Sequence, residues 1–238
     1  MMAEIYNDGS YLENNPSWHE EDSPWKANQI QKMIRKNSLK PKTICEIGCG
    51  AGEILNRLSA QSDTNTKFFG YEVSSQAFEL CNKKSSPKLV FKHADLLEIE
   101  GAHFDIIMAI DVIEHVEDCF GFLRSLRPKA EYHIFHIPLD LSVQTVLRGS
   151  PIMKNRKSVG HIHYFTQETA LETLKDTGYE IVDWFYTCGG VELRNQGWKV
   201  ALMRMPRKLA FLVNEKLASR LLGGFSLMVL TRQSQPWH

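Results

Sequence analysis

From residue 43 onward, short apolar runs alternate with segments whose apolar positions recur at helical spacing. TICEI, at 43–47, reads as a buried strand, and GEILNRLSA after it as a helix. KFFGYEV, KLVFKHAD, FDIIMAID and AEYHIFHI continue the strand series. Between them, SSQAFELCNKK (capped by Ser74) and EHVEDCFGFLRSL read as helices. Strands that are apolar on both faces and separated by helices predict an α/β fold, a Rossmann-like, doubly wound, mostly parallel sheet. Further on, TQETALETLKDTG reads as a helix capped by Thr166 and stopped at Gly178. YEIVDWFYT is a strand, residues 206–222 an amphipathic helix, and GFSLMVLTR a seventh strand expected to run antiparallel at one edge.

Two stretches depart from this rhythm. Residues 1–37 form an N-terminal cap: a polar, aromatic segment, then a helix from about 24 to 36 with Ser23 as N-cap and Pro24 in its first turn. The cap is expected to pack on the sheet edge, and closure of Tyr11, Trp18 and Trp25 over a ligand is the alternative. Residues 38–238 form the main domain, with a long irregular insertion at about 139–160 that ends in Lys154, Arg156 and Lys157. That basic run is expected to be solvated, or else to attract an anionic acceptor. The helix ending RKLAFLVNEKLASRLL is expected to pack into the core, with a membrane-surface role as the alternative.

Composition narrows the function classes. Apolar residues make up 43% and charged ones 24%, as in an ordinary soluble domain. Lys+Arg and Asp+Glu both number 28, so no cationic excess exists to neutralise nucleic-acid phosphates, and no nucleic-acid partner is expected. No run is long enough to span a membrane, and no signal peptide opens the chain, so no membrane partner and a cytoplasmic location are expected. The cysteines (Cys45, Cys49, Cys81, Cys119, Cys188) are scattered and expected to be reduced.

The densest chemical signal is EIGCGAG, residues 46–52. Gly48 and Gly50 fit a dinucleotide fingerprint, but its third glycine position holds Glu53, whose carboxylate would face a pyrophosphate. No GK[ST] follows, which excludes a P-loop. A ligand without phosphate, tolerant of a nearby acid, fits better.

These residues resemble the first motif of class I S-adenosylmethionine-dependent methyltransferases, and three more motifs follow in that family's order. Glu72 ends the second strand, Asp95 and Leu96 follow the third, and IDVIEHV (110–116) closes the fourth. The late GHIHYFTQETALETLKDTGYEIVDW also resembles the family, and the likeness covers about residues 40–188. It implies S-adenosylmethionine as cofactor and contacts from Glu46, Gly48, Cys49, Gly50, Gly52, Glu72, Val73, Asp95, Leu96, Ile110 and Asp111. Within them, Glu72 would accept the ribose hydroxyls and Asp95 the adenine amino group.

The implied activity is methyl transfer to an oxygen or nitrogen of a small-molecule acceptor. An oxygen acceptor calls for a base. Among nine histidines, His115 ranks first and His161 second, ahead of His136 and His163. Asp111, Glu114 and His115 also stand where some ubiquinone-biosynthesis and small-RNA methyltransferases hold a divalent ion. Here Asp111 replaces a glutamate and no second histidine follows, so no metal is expected. A cofactor-binding protein without catalysis and an NAD-dependent dehydrogenase remain as alternatives. Oligomeric state is not legible.

Overall fold

The computed structural model describes residues 18, 20–62, 65–192 and 198–234. Tyr11 and the rest of the first seventeen residues lie outside them. The strands are β1 (Thr43–Ile47), β2 (Lys67–Glu72), β3 (Leu89–His93), β4 (Phe104–Ile110), β5 (Ala130–Pro138), β6 (Tyr179–Thr187) and β7 (Ser226–Gln233). They form one sheet in the order β3-β2-β1-β4-β5-β7-β6. The first five run parallel, and β7 is antiparallel to both β5 and β6. The antiparallel final strand follows the sequence reading. Its slot between β5 and β6, which leaves β6 at the edge, does not follow from local pattern.

The helices are α1 (Ser23–Lys36), α2 (Glu53–Gln61), α3 (Ser75–Asn82), α4 (Cys119–Leu126), α5 (Val143–Arg148), α6 (Ser150–Ser158), α7 (Gln167–Asp176), α8 (Gly189–Glu192), α9 (Trp198–Val213) and α10 (Glu215–Leu222). One face of the sheet is covered by α1 and α2, where Ala27, Ile30, Met33, Leu55 and Leu58 pack on Ile44, Phe68, Ile106 and Met228. On the other, Leu123, Leu126, Leu171 and Leu174 pack on Cys45, Ile107, Phe135 and Val229. Cys45 and Cys49 thus point into opposite cores, which rules out a shared metal or disulfide.

Several local expectations are corrected. Ser23 is the first helical residue and not the cap, because a 3-10 turn, Glu20–Asp22, leads directly into α1. EHVEDCFGFLRSL is helical only from Cys119, where the Asp118 carboxylate accepts from the Gly121 amide at 2.8 Å. The preceding residues turn instead, since the Glu114 carbonyl accepts the Ile162 and His163 amides at 2.8 and 3.1 Å. The insertion at 139–160 holds two helices, α5 with a Ser142/Thr145 capping box and α6 with Pro151 in its first turn. The helix expected over 206–222 starts at Trp198 and breaks at Asn214, whose side chain caps α10 by accepting from Leu217 at 2.9 Å.

The chain leaves β1 toward β2 and β3, then returns to β4 on β1's other side. A crevice therefore opens at the carboxyl ends of β1 and β4, where sheets of this kind bind ligands.

Candidate functional site

A cavity of about 910 Å³ occupies this crevice, near the upper end of the range for small-molecule sites. Its floor is the turn after β1. Gly48, Gly50 and Gly52 all have left-handed φ values, 65°, 53° and 76°. At Gly52 a Cβ would come within 2.6 Å of the Phe91 ring and 2.7 Å of Cys81 Cβ, so only glycine fits. The turn lays bare backbone along the cavity beside Cys49, Val73 and Ile110.

Glu72 closes the floor. Its two oxygens accept the Gly50 and Ser74 amides, each at 2.8 Å. A carboxylate has about four acceptor sites, so both oxygens can take a further hydrogen bond from a ligand hydroxyl. Burial raises the Glu72 pKa, and the backbone amides partly offset this. Glu46 is more deeply buried, one oxygen has no hydrogen-bond partner, and burial pushes its carboxyl well up. Asp95 and Leu96 do not line the cavity: Asp95 caps the 3-10 turn Leu96–Glu98 by accepting from Leu97, and the Leu96 side chain is buried in the core.

The N-terminal segment forms the roof. Trp18, Asp22, Ser23, Trp25 and Lys26 line the cavity, so the segment both packs on the sheet and covers its ligand end. Three contacts pin it. Glu20 pairs with Lys84, which also donates to the Ala51 carbonyl at 2.7 Å. The Trp25 indole donates to Glu192 at 2.5 Å. Lys26 Nζ meets Asp111 Oδ2 at 2.7 Å.

Asp111 directly follows β4 with a left-handed φ of 54°, a conformation aspartate tolerates better than most residues. This twist swings it away from Glu114 and His115. Its other oxygen meets His136 Nδ1 at 2.6 Å, and His136 Nε2 reaches Thr187 Oγ1 at 2.8 Å. Burial would raise the Asp111 pKa, but His136 and Lys26 outweigh it and hold the carboxyl well below the usual range. Burial pulls Lys26 down, yet Asp111 reverses the net shift to upward. Asp111 and His136 are therefore structural partners of the roof.

The place expected for Asp111 beside Glu114 and His115 is taken by His161, 50 positions further along the chain. Ligand atoms of Glu114, His115 and His161 all lie within 4.8 Å of one another. Glu114 is fully buried, neither of its oxygens accepts a hydrogen bond, and burial followed by Asp111 drives its carboxyl well up. The imidazole Nε2 atoms of His115 and His161 stand 3.8 and 4.0 Å from it. His115 Nδ1 faces the Gly160 carbonyl at 3.2 Å, and His161 Nδ1 faces Asp140 Oδ2 at 2.5 Å. These partners assign the proton to Nδ1 in both rings and aim both Nε2 lone pairs at the cluster. Burial lowers the His115 pKa to about 4, with His161 as a second cause.

Asp140 went unnoticed in the sequence. It follows β5 by two residues and is steadied by Asn155 Nδ2 at 3.0 Å. The only hint was its position just beyond a strand's carboxyl end. His163 turns away and bonds the Val116 carbonyl at 2.8 Å.

The geometry thus pairs an acid-and-glycine cradle suited to a nucleoside with a carboxylate–imidazole cluster facing the same cavity. That cluster can accept a proton, or hold a divalent cation through two nitrogens and a carboxylate oxygen. Known proteins share both sequence and fold with this chain. It is 26% identical to the tRNA U34 carboxymethyltransferase of Aliarcobacter butzleri over 173 residues, 68% of this chain and 55% of that protein. It is 25% identical to the ubiquinone biosynthesis O-methyltransferase of Rickettsia conorii over 99 residues, 41% of this chain and 34% of that one. The chain thus spans about half or less of the curated relatives it matches.

Among solved structures, magnesium protoporphyrin IX methyltransferase from Synechocystis with bound SAH superposes with a TM-score of 0.59 at 15% identity, covering 93% of this chain and 86% of that one. The N-methyltransferase NodS from Bradyrhizobium japonicum, in complex with S-adenosylhomocysteine, gives 0.59 at 16%, covering 95% and 96%. A family model for the methyltransferase domain matches residues 18–183, from the roof's first described residue to the edge strand, and the chain belongs to that family.

Proposed function

We propose that the protein binds S-adenosylmethionine in the β1–β4 crevice and methylates a hydroxyl oxygen of a small molecule. The observation that carries this reading is the placement of Glu72 and the glycine turn in one cavity with the Glu114–His115–His161 cluster. The cradle suits a nucleoside that carries positive charge and no phosphate: its floor is acidic and bare, and no P-loop lysine is present. S-adenosylmethionine, when bound, supplies an electrophilic methyl group on a sulfonium.

The chain's own work is then to orient, enclose and move one proton. Glu72 fixes the ribose end, and Trp18 and Trp25 in the roof offer aromatic faces that favour a cation and exclude water. Such positioning supplies roughly 7–11 kcal/mol. His161 takes the acceptor proton at Nε2, and Asp140, bonded to Nδ1, stabilises the imidazolium that results. His161 replaces His115 as first choice because a group with a pKa of about 4 is a weak proton acceptor at neutral pH.

A second reading is favoured by the unpartnered Glu114 carboxylate. Glu114, His115 and His161 would together hold a divalent cation, which would acidify a hydroxyl bound to it.

The test combines calorimetry with S-adenosylmethionine and turnover on paired hydroxyl and amine acceptors. Binding with hydroxyl turnover, lost in His161→Ala while binding persists, is the expected result. Binding without turnover on any acceptor would point to a non-catalytic cofactor-binding protein, and absence of binding would remove both. Metal content after dialysis, with activity measured after chelation, separates the two proton-handling readings.

A further inference from the structure

α5, α9 and α10 carry apolar side chains that the fold leaves outside. On α9, Met205, Leu209, Leu212 and Val213 recur at helical spacing and are 60%, 59%, 73% and 87% exposed. α10 continues the stripe with Leu217 and Leu221, and the neighbouring α5 adds Val143, Val146 and Leu147, the last 81% exposed. Ala210, Phe211, Ala218 and Leu222 of these helices turn inward, onto Cys188 and Phe225. The expectation that this region packs into the core therefore holds for one side of the helices only. Contiguous apolar surface of this kind marks a contact with something apolar.

Charge identifies the contact. The whole chain is neutral, yet residues 143–158 carry four basic side chains and no acidic one. Residues 204–222 carry five basic side chains and only Glu215 as an acid. Lys154, Arg156, Lys157 and Lys208 are exposed and make no ion pair among the described residues. Apolar stripes bordered by unpaired cations suit the boundary between anionic headgroups and acyl chains. No described helix is long and apolar enough to cross a membrane, so the contact is with its surface.

We infer that α5, α6, α9 and α10 form a docking face for an anionic lipid bilayer. The same helices line the cavity from within, through Gln144, Arg148, Asn155 and Arg207. Docking therefore sets the acceptor end of the cavity against the lipid surface. The face stands independently of the methyl-transfer reading.

Cosedimentation of the full chain with vesicles tests it, using phosphatidylcholine alone and phosphatidylcholine mixed with phosphatidylglycerol. Binding to the anionic vesicles, weakened by high salt and absent with the neutral ones, is expected. Lys154→Glu/Arg156→Glu/Lys157→Glu should weaken it by on the order of a hundredfold or more, at roughly fivefold per cation removed. Leu147→Ser/Leu212→Ser/Val213→Ser should weaken it at least tenfold. All six positions lie outside the cavity lining, so cofactor affinity should not change and reports that the variants are folded. No sedimentation with anionic vesicles, or equal sedimentation of the variants, overturns the assignment. So does a solution dimer that the serine variant dissociates, which would give the face to a second copy.

Discussion

Lys26 offers a direct test of how the N-terminal helix is tied to the sheet. It reaches from α1 to Asp111 at the end of β4, and Asp111 also holds His136 at the end of β5. Lys26→Met keeps the aliphatic stem but removes the ammonium that faces the Asp111 carboxylate. Two charges about 4 Å apart at an effective dielectric of 20 attract by roughly 4 kcal/mol, and breaking a buried pair from one side costs about 3–5 kcal/mol. The side chains of Lys26 and Asp111 keep 16% and 25% exposure toward the cavity, which places the loss at the lower end, about 3 kcal/mol. In a chain of this size that lowers Tm by roughly 6–12 °C.

Urea and thermal unfolding at pH 7 measure the loss. Asp111 is held below its unfolded pKa, so its contribution is present above about pH 4 and fades as pH falls below that. The gap between wild type and Lys26→Met should therefore narrow in acid. Lys26→Met/Asp111→Asn should recover at least half of the loss, because asparagine tolerates the left-handed backbone and leaves no unpaired charge. A single variant that loses less than about 1 kcal/mol, or a double variant no better than it, would refute the claim that charge pairing anchors the roof.

Other perturbations separate the parts of the site. Glu72→Ala should weaken S-adenosylmethionine binding by about 10²–10⁴-fold by calorimetry, as two charge-assisted hydrogen bonds are each worth about 1.5–3 kcal/mol; an unchanged Kd would remove Glu72 from the cradle. Asp140→Asn should lower kcat by about 10²–10⁴ and leave cofactor affinity intact, since it acts through His161; a change in Kd alone would show a purely structural role. Gly52→Ala should destabilise the fold and abolish cofactor binding, because the new methyl meets Phe91 and Cys81; a normal melting curve would contradict the packing. His133 is fully buried, and burial lowers its pKa to about 4. Its unfolded form binds a proton from about pH 6.5 downward, so stability should fall between about pH 6.5 and 4 by up to about 3 kcal/mol. The same curve for His133→Gln should be flatter, and identical slopes would locate the acid sensitivity elsewhere.

The sequence by itself determined what depends on neighbouring residues. Short apolar runs marked all seven strands, and the glycine spacing of 48, 50 and 52 marked a turn whose φ values only glycine adopts freely. Glu72 was legible through the family resemblance, which implies an acid at the end of the second strand. The tertiary structure decided what depends on distant segments meeting. Spacing grouped Asp111 with Glu114 and His115, but Lys26 and His136, 85 and 25 residues away, draw Asp111 off. The loop bearing His161 is bound to Glu114 through backbone amides, so a histidine remote in the chain completes the cluster. Asp140 gained its role only once His161 lay beside it. α9 and α10 read as core helices because periodicity reveals an apolar stripe but not which side faces the protein. Local sequence sets backbone preference and amphipathicity, whereas charge pairing and burial are settled only when the sheet brings its strand ends to one edge.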